Sequence, residues 1–165
     1  MDAALWGLLG TIVGAVASIA TTWLSGRSSH TLQQDRGREE RAQQASSFQR
    51  QTLLELQEAI HDALRLVSQA HIEDREAHRA TKEWGKNMLS DEVNEGIRLA
   101  QRRVAILVER VSDDDLRAKV KALMASTAPL LLARNEQESH YYLGKTTTDA
   151  ETVFEGLGTV LRRHY

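Results

Sequence analysis

Between Ala3 and Leu24 the chain reads AALWGLLGTIVGAVASIATTWL, 22 residues without a charge. As a helix this run would extend about 33 Å against a hydrocarbon core of about 30 Å, so it predicts a transmembrane helix over residues 3–24. Trp6 and Trp23 stand near its two ends, about 25 Å apart along a helix, where aromatic belts lie at the two membrane interfaces. Two other readings fit less well: a buried core helix, and a cleaved signal peptide with Ala15-Val16-Ala17 as the processing site. A signal peptide carries a basic leading region and a shorter apolar run, and only Met1, Asp2 and the α-amino group precede this one.

The flanks set an orientation. Arg27, Arg36, Arg38 and Arg41 follow the apolar run and no Lys or Arg precedes it, so the C-terminal part is expected in the cytoplasm. Gly7, Gly10, Gly14, Ala17 and Thr21 recur three and four apart, and Gly10 with Gly14 forms a GxxxG pair that would allow close helix approach and self-association in the bilayer.

Residues 25–50 are polar and charged, with almost no apolar side chain. They predict a solvated helical stalk with a break at Gly37, disorder being the competing reading. From residue 51 to 165 the pattern becomes amphipathic. Leu53, Leu56, Ile60, Ala63, Val67 and Ala70 mark one face of a helix running to about Lys82. Ser90 caps a second helix with Val93, Ile97, Ala100, Val104, Leu107 and Val111 at the same spacing. Ser112 with Asp115 resembles a capping box for a third, striped by Leu116, Val120, Leu123, Thr127 and Leu130, which Pro129 should kink or end near Thr127.

Asn135 with Glu138 caps a fourth helix, whose stripe is read as Leu143, Thr147, Ala150, Phe154, Leu157 and Leu161, continued by Val153 and Val160; a start at Thr148 is the alternative. One proline, few glycines after Gly37 and few aromatics favour long helices over a sheet. The expected fold is all-α: a transmembrane helix, a polar helical stalk and an antiparallel bundle of about four helices.

Composition excludes several functions. The formal charge of -2 provides no basic excess for a phosphate backbone, so no nucleic acid partner is expected. The absence of cysteine removes disulfides, thiolate metal sites and cysteine nucleophiles. Gly144-Lys145-Thr146 ends like a phosphate-binding loop, but Ser139 occupies the position of its first glycine and no strand precedes it.

His71, Asp74 and His78 share a helix face at ligand spacing, yet Glu73, Arg75, Glu76 and Arg79 surround them, which reads as a solvated face laced with ion pairs. Asp113, Asp114 and Asp115 lack a calcium loop and are explained as acids at a helix start. No catalytic, cofactor-binding or metal-ligating residue is assigned, no cofactor is expected, and the chain is not read as an enzyme.

The opening from Met1 to Arg27, followed by the Arg/Gln/Glu-rich segment, resembles small bacterial membrane proteins that join one such anchor to a cytoplasmic helical region. A looser similarity runs through Val104–Leu116 and the LRRHY ending. The resemblance implies a single-pass protein of the bacterial inner membrane and no site residues. Two functions are carried forward. The first is a membrane-tethered, non-enzymatic interaction or scaffold module with a protein partner or a second copy of itself, its contact surface drawn from Leu54, Leu64, Leu66, Ile106 and Val108. The alternative is a membrane-permeabilising or lysis-related protein acting through an oligomerising glycine-rich transmembrane helix.

Overall fold

The computed structural model describes residues 36–86 and 88–165. The expected transmembrane helix over 3–24, with its GxxxG pair, lies outside them, as does the stalk up to residue 35. Among the described residues there are four helices and no strand: α1 (Asp2–Thr81), α2 (Asp91–Val108), α3 (Asp114–Leu131) and α4 (Glu136–Arg162). Within the described residues no helix is long and apolar enough to cross a membrane.

The chain divides into two compact units, 1–45 and 46–165. In the first, residues 38–45 are helical and exposed throughout, which suits a solvated helix. The expected break at Gly37 is absent; the helix continues through it, and no atom lies within 4 Å of where a Cβ would stand.

The second unit is a helical bundle. Every residue of the stripes read for α1 and α2 is buried, from Leu53 to Ala70 and from Val93 to Val111. Leu53, Leu56, Ile60 and Ala63 of α1 and Ala100, Val104 and Leu107 of α2 join Leu116, Val120 and Leu123 of α3 and Val153, Leu157 and Val160 of α4 in one core, so all four helices contribute to it. Such a face stabilises by roughly 25 cal/mol per Å² of apolar surface removed from water, and it dictates which side of each helix turns inward. A second, smaller cluster of Ala70, Val93 and Ile97, flanked by Leu66, Leu89 and Leu131, lies toward the end of α1. There α2 approaches closely: a Cβ on Gly96 would stand 3.0 Å from Leu66 Cδ2.

Three local expectations need correction. The cap of α3 is Asp113, whose carboxylate accepts from the Leu116 N–H at 2.9 Å. Ser112 is instead held outside the helix, its N–H donating to Gln49 Oε1 at 3.0 Å. Helix α3 also does not end near Thr127 but runs through Pro129 to Leu131. The proline removes one backbone donor close to the helix end, where buried Thr127 and Leu130 still hold the final turn against the core.

The stripe of α4 is displaced as well. Its buried line is Ser139, Thr146, Ala150, Val153, Leu157 and Val160, whereas Thr147 is exposed and Leu143, Phe154 and Leu161 are half-buried. Two small hydroxyl residues enter the line because they bond inward; Thr146 Oγ1 donates to Ser126 O at 3.3 Å. The alternative start at Thr148 does not occur. The helix begins after Asn135, whose Oδ1 accepts from Glu138 N at 2.8 Å, while Thr147 and Thr148 donate to the carbonyls of Leu143 and Gly144.

Candidate functional site

At the end of the second unit remote from Ser46, the stripe of α1 continues beyond Val67 in polar residues: His71, Asp74 and His78, four, seven and eleven positions on. Helical spacing therefore carries them toward the space that leucines and valines occupy earlier. His71 is 6% exposed. Its Nδ1 shares a 2.8 Å hydrogen bond with Ser139 Oγ, which is itself 1% exposed in the first turn of α4. The reading of this face as solvated and laced with ion pairs fails at His71, and Glu73 turns to the cap of α2, accepting from Ser90 N at 3.1 Å and from its hydroxyl at 3.0 Å.

Two further side chains complete the node, Trp84 and His140. The Trp84 ring lies 6.1 Å from His71 and edge-on at 5.5 Å from His78, and its indole N–H donates to Ala133 O at 3.1 Å. His140 is 6.0 Å from His71. The turn that presents Trp84 has two left-handed residues, Lys82 at φ 63° and Gly85 at φ 67°. Lys82 N–H closes α1 on His78 O at 2.8 Å, an αL termination that glycine normally provides.

Burial holds the His71 imidazole below its ordinary value, the charge of Arg75 and then His140 add to that, and Glu136 opposes them. Burial and then Glu73 push the Asp74 carboxyl up. His71 Nε2, Arg75 Nε and His78 Nδ1 are buried without a hydrogen-bond partner. A neutral His71 thus leaves one ring nitrogen unpaired in either tautomer, and a cationic one would leave a charged N–H unpaired, which costs more.

As chemistry the node is limited. Ser139 and His71 meet as a hydroxyl and a base, but both are enclosed, so the pair reads as a polar contact between helices rather than a nucleophile facing a substrate. No group of three or more metal-ligating side chains forms among the described residues, in which His71, Asp74 and His78 are all included. Sequence reasoning singled out His71, Asp74 and His78 and placed Arg75 beside them, but missed Ser139, Trp84 and His140 as their surroundings. A signal existed on α4, where Ser139, Thr146, Val153 and Val160 recur every seven residues.

No protein-family model matches this chain, and no curated protein and no solved structure matches it.

The other candidates are distributed elsewhere. Gly144-Lys145-Thr146 lies within α4, with Lys145 paired to Asp149 at 3.2 Å and Thr146 bonded inward. Asp114 pairs with Arg117 and Asp115 with Lys119, each along the first turns of α3. An open groove of about 370 Å³ between α3 and α4 is lined by Asp113, Lys119, Thr152, Glu155 and Arg163, and Asp113 and Arg163 already neutralise one another across it at 3.1 Å. A smaller groove of about 170 Å³ between α2 and α3 has Val104, Val108, Val120 and Met124 as its apolar lining.

Of the expected contact surface, Ile106 is 50% and Leu54 38% exposed, whereas Val108 is buried and Leu64 and Leu66 pack on the core. Leu99, two helical turns before Ile106 on α2, is also 50% exposed and was not foreseen.

Proposed function

We propose that this chain is a membrane-tethered, non-enzymatic interaction module, in which Ala3–Leu24 is a single inner-membrane span, the polar helix a spacer, and the cytoplasmic bundle the part that binds a protein partner or a second copy. The observation that carries the reading is the pair Leu99 and Ile106, large apolar side chains on the same side of α2 and outside a core that already buries one full stripe of that helix. Tethering raises the effective concentration of even a weak contact made by such a surface.

The test has two parts on the full chain in bacterial cells. Carbonate extraction, with C-terminal reporters active in only one compartment, should place the chain in the membrane and its C-terminal part in the cytoplasm. A photo-crosslinking residue at position 99 or 106 should then yield a discrete adduct that the same residue at exposed position 151 does not. Exported reporter activity would reverse the topology, and indistinguishable crosslinking at all three positions would refute α2 as the contact face.

A further inference from the structure

The His71 node differs from the rest of the bundle in how it is held. The main core reaches Ala63 on α1, and beyond it, among the described residues, lie the smaller Ala70, Val93 and Ile97 cluster, with Leu66, Leu89 and Leu131 against it, and buried Val67, Leu130 and Ala133. His71 Nδ1 with Ser139 Oγ joins the start of α4 to α1, and the Trp84 indole N–H on Ala133 O joins the turn to the α3–α4 connection while its ring lies against His71 and His78. Regions with few buried apolar contacts open at lower free energy than the domain as a whole. We propose that the His71–Ser139 pair is a proton-operated latch on this end of the bundle, which holds the start of α4 and the Trp84 turn against α1 while the imidazole is neutral and releases both on acidification, leaving the main core folded.

The groups around the ring decide the direction. From α1 it faces Asp74, Arg75 and His78; from α4, Glu136 and His140; from the turn, the uncharged Trp84, beside which Glu83 and Lys86 pair with each other at 3.2 Å. The start of α2 brings uncharged Val93 and Ile97, Glu73 being committed to Ser90, and the end of α3 brings Ala133, with Arg134 exposed. A proton on His71 therefore enters beside Arg75 and His140.

Burial and then Glu73 raise the Asp74 carboxyl, and Glu136 is the one negative charge that opposes Arg75 and His140 at the ring. Nδ1 could still donate to Ser139 Oγ, but Nε2 would become a charged donor with no acceptor. The released chain takes up this proton at about pH 6.5 and the closed one only at lower pH. Closure is thus fully favoured above about pH 6.5 and weakens as pH falls from there through the closed-state value.

The experiment uses the full chain in lipid nanodiscs, with Trp6→Phe and Trp23→Phe so that Trp84 reports alone. Between about pH 8 and about pH 5, Trp84 emission should shift to the red and its quenching by acrylamide should rise, while far-UV ellipticity is retained. The shift should be lost in His71→Gln, and in His140→Gln its midpoint should move to higher pH because one cation is removed. If His71→Gln does not fold, histidine-ring nitrogen resonances of the otherwise unchanged chain replace it: the His71 midpoint should coincide with that of Trp84. Trp84 emission that stays constant while His71 titrates, a shift that survives in His71→Gln, or a shift that coincides with loss of all helical signal would each overturn the latch.

Discussion

Gln49 Oε1 accepts the Ser112 N–H at 3.0 Å while its Nε2 donates to Arg110 O at 3.0 Å, so one side-chain amide clasps both sides of the α2–α3 turn. The Arg110 and Val111 amides of that turn are bonded to Leu107 O and Val108 O, which leaves the Ser112 N–H and the Arg110 carbonyl to the clasp, and the clasp comes from a residue assigned on sequence to the stalk. Gln49→Ala should lower stability by about 0.5–1.5 kcal/mol, water recovering part of the loss at this exposed site. Chemical unfolding monitored at Trp84 checks this, with Gln43→Ala, in the exposed helix before Ser46, expected to be silent.

The two left-handed residues after α1 should respond oppositely. Lys82→Gly relieves the side-chain strain of φ 63° and should stabilise by about 0.5–1 kcal/mol after the extra backbone entropy is deducted. Gly85→Ala introduces that strain and places a Cβ 3.4 Å from the Ala133 carbonyl that already accepts from Trp84, so a loss of about 1–2 kcal/mol is expected. Paired thermal melts would read both signs.

Asp113 joins two helices, capping α3 through Leu116 and receiving Arg163 Nη1 from beyond α4. Asp113→Ala should cost about 1 kcal/mol as a lost cap. The Leu116 N–H first, and then Arg163, hold its carboxyl below the usual range against opposing desolvation. Its contribution to stability is therefore complete above about pH 4 and is lost as pH falls through the lower folded value. Asp113→Asn, which keeps the cap without a titrating group, should show a shallower decline of stability in that acidic interval, and pH-dependent denaturation curves would measure it.

Core and contact face should separate cleanly. Leu123→Ala, at a fully buried position, should cost about 2–5 kcal/mol. Leu99→Ala should change stability by no more than about 0.5 kcal/mol yet weaken adduct formation from position 106. Equilibrium unfolding alongside crosslinking yield distinguishes the two.

The stripes of α1 from Leu53 to Ala70 and of α2 from Val93 to Leu107 were legible because the residues at that spacing are all apolar and the period is uninterrupted. On α4 the same logic pointed to Leu143 and Thr147, since the large apolar residues there flank the true line, while Ser139 and Thr146 occupy it through inward hydrogen bonds that hydropathy does not register. Asp113 and Ser112 were exchanged for a related reason: both are good caps, and only the grip of Gln49 on Ser112, from 63 residues away, decides between them. The His71 node was half legible. Its place on the α1 stripe follows from spacing, but its partners come from α4 and from a turn whose path depends on Lys82 and Gly85.

Ser46 Oγ lies 3.4 Å from His164 Nδ1 and donates to the His164 carbonyl at 3.3 Å, so the last helix returns to where α1 enters the bundle. Entry and exit are thus clamped at one pole, and His71 stands about 37 Å farther along α1. Tension applied between these two points would be borne first by the Ser46–His164 clamp, at the pole opposite the His71 node. A label attached beyond His164 would accordingly report on this pole and remain insensitive to opening at the His71 end.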